Sequence, residues 1–237
     1  MTRYKFIFVV LSSDELTPDN DYYGNEERYR QFKILNKMYY DKFKNDIKFF
    51  YIEYKQDIVD DVVEINDFIY IQGNELPLIP NTLNKALKAI EYINIKYAYD
   101  YIIHTNLSSI WNIPVLLSLY ENIPRDNFFG GHYLFNRFIT GTGIFISKDL
   151  ITLLLNLDVN MYNYENDIAI SNYMQYNNIP TYHLENITNY RWEIISTDYY
   201  TNDNYEDILY FRIKNSSDKI DINITQFLLN KLYNIIN

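Results

Sequence analysis

Two cations alternate out of one apolar run. In Ile208-Leu209-Tyr210-Phe211-Arg212-Ile213-Lys214, Arg212 and Lys214 are two residues apart, so a strand would send both to one face. A guanidinium grips phosphate oxygens through a bidentate fork, and an ammonium adds a point charge. Such a pair could hold a diphosphate, or it could be the solvated face of an edge strand. A second group is Thr105-Asn106-Leu107-Ser108-Ser109, directly after another apolar run. Asn106 and Ser108 are neutral, and they suit ribose hydroxyls, phosphates or an Asx/Ser turn. Hard divalent cations prefer carboxylates, so these two residues give at most a weak metal site. Glu165 and Asp167 open a helical stretch, where acids favour the helix dipole. Four of the six glycines, Gly130, Gly131, Gly141 and Gly143, crowd into fourteen residues. In a glycine-poor chain that marks positive φ, close backbone approach to a ligand, or tight turns around a strand.

Several chemistries are excluded. The first apolar strand is not followed by G-x-G-x-x-G, since the first glycine is Gly24. Neither a phosphate-binding G-x-x-x-x-G-K-[ST] loop nor a G-x-S-x-G elbow occurs. The three histidines, His104, His132 and His183, lack zinc-site spacing. The absence of cysteine removes disulfides, thiolate metal sites and thiol nucleophiles. A formal net charge of −10 argues against nucleic acid and anionic lipid surfaces as partners. The apolar run after the N-terminal Lys5 is short, and no stretch approaches the ~20 apolar residues of a membrane span. Membrane insertion is therefore not expected, and the expected location is cytoplasmic.

Those residues need a frame. Residues 4–11 are continuously apolar, as in a strand buried on both faces of a parallel sheet. A polar loop over 12–26, a helix over 26–44 and a strand over 47–54 follow, the opening of a nucleotide-binding α/β domain. Asn81 or Thr82 could cap a helix with the stripe Leu83, Ala86, Leu87, Ile90 and Ile93. Residues 100–104 predict a strand, Pro114 a helix start, and Ser147 a cap for a helix over 148–156. A helix from Asp167 to Asn177 should stop before Pro180, and 208–213 reads as a strand. The tail carries Ile224, Phe227, Leu228 and Leu232 at helical spacing. The 237 residues fit one α/β domain, with 190–237 a possible C-terminal extension packed on it.

Three segments, in order, carry a resemblance. They are DYIIHTNLSSIWN (100–112), FGGHYLFNRFITGTGIFISKDL (129–150) and ENDIAISNYMQYNNIP (165–180). Together they resemble the fringe and β-1,3-galactosyltransferase superfamily. There a strand ends in an acidic D-x-D turn, an S-G-x-G stretch follows, and an E-D-V or D-D-x motif precedes a helix. Variants in large DNA viruses and algae have T-N-L-S-S in place of the acidic turn. The resemblance covers roughly residues 85–185 well. It implies a GT-A fold, a single Rossmann-like, mostly parallel sheet flanked by helices, with the sugar donor bound at the C-terminal edge of the strands.

The resemblance also implies an activity: hexosyl transfer from a nucleotide-sugar, a UDP-sugar in particular, to an acceptor hydroxyl of a glycan or glycoprotein. Asp167 aligns with the family's general base, with Glu165 beside it and Asn166 where the first acid should be. The base takes the acceptor proton and the anomeric configuration inverts. Ser12, Ser13 and Asp14 would line the base and ribose of the donor, joined by Thr105, Asn106, Ser108, Arg212 and Lys214. Gly130, Gly131, Gly141, Thr142 and Gly143 would approach the sugars. The family uses Mn²⁺ or Mg²⁺ at its acidic turn; with Asn106 and Ser108 there, metal dependence is expected to be weak or absent, with Mn²⁺ or Mg²⁺ as the open alternative, and basic side chains would balance the diphosphate. Trp111 and Trp192 could stack on sugar or pack in the core. The alternative is a catalytically degenerate GT-A fold that binds a glycan or nucleotide.

Overall fold

The computed structural model describes residues 2–13, 25–134, 137–187, 191–195, 207–213 and 218–233, with backbone only at 25–28, 186–187, 191–195 and 218–220. Strand β1 (Arg3–Leu11) is the axis of the molecule. Its unbroken apolar run makes sense because both of its faces are covered. Phe6, Phe8 and Val10 enter one core; Ile7 and Val9 enter the other. All five are nearly or fully buried, and each such side chain contributes roughly 1.5–3 kcal/mol of apolar transfer.

Helix α1 (Asn25–Tyr40) leads to β2 (Ile47–Lys55), which lies parallel to β1. A short hairpin, β3 (Val62–Ile65) and β4 (Phe68–Gln72), completes one edge. Helix α2 (Leu78–Lys96) buries the expected stripe Leu83, Ala86, Leu87, Ile90 and Ile93. The expected caps are corrected. The element starts at Leu78 but is kinked at Ile79, which is extended, so the regular helix runs from Pro80; Asn81 Nδ2 donates to the Asn74 carbonyl, and Thr82 Oγ1 donates to the Leu78 carbonyl. Strand β5 (Ala98–Asn106) then pairs parallel to β1, with Leu11 opposite Asn106.

Beyond β5 the chain makes a turn, the short strand β6 (Ser109–Trp111) and helix α3 (Ile113–Tyr120). Pro114 sits in the first turn of α3, where its missing N–H costs nothing. Asn112 caps the helix, its side chain accepting from Val115 N. Strands β7 (Phe129–Leu134) and β8 (Phe138–Ser147) are antiparallel neighbours, and β8 also runs antiparallel to β5. Ser147 is not the cap of a long helix. It ends β8, its hydroxyl accepts from Phe128 N, and only a 3-10 turn and α4 (Ile151–Leu154) follow.

Helix α5 (Asn166–Tyr176) is followed by its C-cap Asn177 and by Asn178, which adopts positive φ two residues before Pro180. Then come β9 (Thr181–His183), α6 (Leu184–Ile187), β10 (Arg191–Ile195), β11 (Ile208–Ile213) and α7 (Asp218–Tyr233). The main sheet has the order β3-β4-β2-β1-β5-β8-β7-β9, antiparallel only at β3 and β8. A second sheet has the order β10-β11-β6. Residues of α1, α3, β11 and α7 share the core on one face of the main sheet, and those of α2, α4 and α5 share the core on the other. Helix α7 buries Ile224 and Leu228 and packs Leu232 against the core as expected, whereas Phe227 is 39% exposed and Leu229 takes its place in the stripe. No helix among the described residues is long and apolar enough to cross a membrane.

Candidate active site

The strands β1, β2 and β5 end side by side. The turn after β5 faces β8, which delivers Gly141. Asn106 Nδ2 donates to the Gly141 carbonyl at 3.3 Å, and Gly141 N donates to Asp167 Oδ2 at 2.8 Å. One glycine thus bonds both the polar turn and the carboxylate. A Cβ at Gly141 would stand 3.2 Å from Asp167 Oδ2, so the absent side chain is what lets the carboxylate come in. Asp167 Oδ1 also accepts from Ile168 N at 2.9 Å. A carboxylate offers about four acceptor sites. Two backbone N–H bonds therefore fix its plane and leave acceptor capacity on each oxygen.

Helix α5 holds Asp167 in its first turn, where the dipole favours an anion. Asn166 Oδ1 accepts from Asp167 N, and Asn166 Nδ2 contacts His104 Nε2 at 3.1 Å. His104 is fully buried on β5, and burial pushes its pKa down to about 4. The imidazole is neutral near pH 7, and Nε2 accepts the Asn166 amide proton. Asn166, which replaces an acid in the resembling family, thus anchors the helix end to the central sheet. Glu165 occupies the N-cap position, makes no side-chain cap bond and is exposed; it does not join Asp167.

The turn itself is built around a cation. Arg212 Nη1 donates to both Asn106 Oδ1 and Ser108 Oγ. Ser109 Oγ donates to Asn106 Oδ1 at 3.0 Å, closing the turn. The register makes this contact inevitable. Arg212 on β11 is paired with Ser109 on β6, and Ile213 N donates to the Ser108 carbonyl. Among the described residues no three of His, Asp or Glu gather as metal ligands. Two neutral oxygens already facing a guanidinium do not fit a hard divalent cation.

Other expected contacts are corrected. Thr105 is buried, and its hydroxyl donates to the Thr142 carbonyl at 2.6 Å. The Thr142 hydroxyl bonds Tyr210 at 2.8 Å, and Tyr210 reaches His132 Nδ1 at 2.9 Å. With Trp111 Nε1 on Thr105 Oγ1, these side chains form a polar chain inside the core between the two sheets. Burial lowers the His132 pKa to about 3, so its 3.7 Å approach to Glu185 is a contact of a neutral ring. Trp111 is core, while the Trp192 side chain and all of Asp14 and Lys214 lie outside the described residues.

Gly130, Gly131 and Gly143 are buried, and packing accounts for them. A Cβ at Gly143 would meet Trp111 at 2.7 Å, and one at Gly131 would stand 2.5 Å from the Gly143 carbonyl oxygen. Overpacking of this kind costs about 1–3 kcal/mol. Gly131→Ala should therefore lower the melting temperature by several degrees, at roughly 2–4 °C per kcal/mol for a chain this long. A melting curve equal to that of the parent chain would return Gly131 to a ligand-contact role.

Ser12 follows β1 and is also turned inward. Its hydroxyl donates to Glu53 Oε1 at 2.8 Å, and its carbonyl accepts from Lys85 Nζ at 2.8 Å. Lys33 pairs with Glu53 at 2.5 Å, and Lys85 pairs with Glu75. All four charged groups are buried, so Ser12 fixes the strand end, and half-buried Ser13 is nearer the open edge. The sequence did carry a signal for this cluster. Glu53 interrupts an apolar strand and Lys85 an apolar helix stripe, and charges in such places require partners.

No protein-family model matches the chain, and no curated relative is found. Among solved structures it is similar to a glycosyltransferase involved in the glycosylation of the major capsid of PBCV-1. The TM-score is 0.52 at 11% identity, over 94% of this chain and 98% of that one. At that identity the likeness is one of fold. A mostly parallel sheet with helices on both faces, matched over nearly its whole length, makes this a glycosyltransferase fold of the GT-A-like kind.

Proposed function

We propose that the chain moves a hexosyl group from a nucleotide-sugar, in the first instance a UDP-sugar, to a hydroxyl of a glycan or glycoprotein. Asp167 is the general base. The acceptor oxygen forms the new bond to the anomeric carbon while the bond to the diphosphate breaks. The acceptor proton passes to Asp167, the bonding pair leaves with the nucleoside diphosphate, and the configuration inverts. What carries this reading is Gly141, whose carbonyl and N–H bond the polar turn and the carboxylate at once. An acceptor hydroxyl beside Asp167 is then beside any donor seated on the turn. Proximity of that kind is what a bimolecular transfer needs.

The test is turnover together with binding. Release of nucleoside diphosphate from a panel of nucleotide-sugars should occur with one base and rise with an acceptor glycan. The matching nucleoside diphosphate, at 100 times its Kd, should add about 2.7 kcal/mol of apparent stability. Stabilisation without turnover would assign the chain to the degenerate binding class, and neither response would remove the nucleotide-sugar reading.

A further inference from the structure

We infer that Arg212 is a built-in cation for the donor diphosphate and stands where the resembling enzymes place a divalent metal; this rests on the sugar-transfer reading above. The inference starts from the turn. Asn106 and Ser108 are the positions at which an acidic turn would present oxygens to a metal ion, and both direct their oxygens at the Arg212 guanidinium. Both are neutral, so these two hydrogen bonds orient the guanidinium without adding a negative charge to it. Carboxylates there would hold it as a salt bridge and lower its value to an anion.

The fold supports the same assignment. β6 is three residues long and directly continues the 106–109 turn. Its antiparallel partner β11 places Arg212 opposite Ser109. Ile213 N then bonds the Ser108 carbonyl, which fixes the backbone on both sides of the arginine's contact. A cation that must serve a diphosphate has to be held before the ligand arrives, because an unanchored side chain loses rotamer freedom on binding. Here two side-chain acceptors and a strand register hold it. A guanidinium cannot be removed by chelators and does not deprotonate in the working range. It contacts two phosphate oxygens at once. Donor binding should accordingly be indifferent to divalent cations.

Titration calorimetry on the full chain decides this. UDP, GDP and ADP, with the matched nucleosides, are titrated once in EDTA and once in Mn²⁺. One diphosphate should bind with the same Kd, within about twofold, in both buffers. Arg212→Gln preserves hydrogen bonding to Asn106 and Ser108 without the charge. It should weaken the diphosphate about tenfold or more and leave the nucleoside unchanged. Arg212→Lys should recover part of the loss. The double variant Asn106→Asp, Ser108→Asp should make binding depend on Mn²⁺, and it carries the test if the glutamine variant does not fold. Binding by the parent chain that needs Mn²⁺ overturns the inference while the transfer reading stands. So does an Arg212→Gln variant that binds as the parent does. If no nucleoside diphosphate binds in either buffer and no donor turns over, both fall together.

Discussion

Asp167→Asn should reduce transfer about 100- to 10,000-fold, the range a single general base supplies. The asparagine amide keeps the size of the carboxylate and cannot accept the acceptor proton. The structure adds a condition to the experiment. Asp167 accepts backbone N–H groups on both oxygens, from Gly141 and from Ile168. An amide has only one accepting oxygen, so one of those N–H groups loses its partner, at a cost of about 1–3 kcal/mol. The melting temperature should fall as well. The two effects separate cleanly. Stability is read by melting, and the base role by the rate at saturating donor and acceptor in a variant that is still folded and still binds the nucleoside diphosphate. A folded, donor-binding Asp167→Asn variant with the parent rate would place the proton acceptor elsewhere.

A pH dependence of stability is the second large effect. His104 and His132 are buried, and burial lowers their pKa values to about 4 and about 3. Unfolded, each titrates near 6.5. Between those values the unfolded chain binds more protons than the folded one. Stability is therefore intact above pH ~6.5 and is lost as pH falls below it. For His104 alone the loss down to pH 4 is about 3 kcal/mol. With both rings neutral in the fold, the slope between pH 6 and 5 should approach that of two protons, about 2.7 kcal/mol per unit. Denaturant melts at closely spaced pH values read this directly. His104→Gln, which can still accept from Asn166, should remove one proton from the slope. A flat profile between pH 7 and 5 would mean that the rings protonate inside the fold.

The frame was legible because apolar runs and helical stripes speak plainly. Residues 4–11, 47–54 and 208–213 are strands, and the Leu83 to Ile93 stripe faces the core. The polar positions were harder. Thr105, Thr142 and Ser12 have the residue types of ligand contacts, but their hydroxyls are spent on Thr142, Tyr210 and Glu53 inside the protein. A hydroxyl looks the same in sequence whether it meets a ligand or a neighbour. Glycines carry the same ambiguity. Gly141 makes room for Asp167, while Gly143, two residues on, makes room for Trp111. The contact between His104 and Asn166 spans 62 residues and has no local signature.

The pairing of β6 with β11 joins residues about a hundred positions apart, Arg212 to Ser108 across 104 of them. Closing so long a loop is a late event when contacts form in order of their entropic cost. The parallel strands β1, β2 and β5 can pair as soon as residue 106 has been made. The arginine that completes the turn is synthesised 104 residues after Ser108, and behind it Tyr233 must still reach back to the Ile113 amide. During synthesis, then, the sheet precedes the completed turn. A ribosome-stalled chain that has emerged only as far as shortly before residue 208 should present an ordered sheet and a turn still without its arginine.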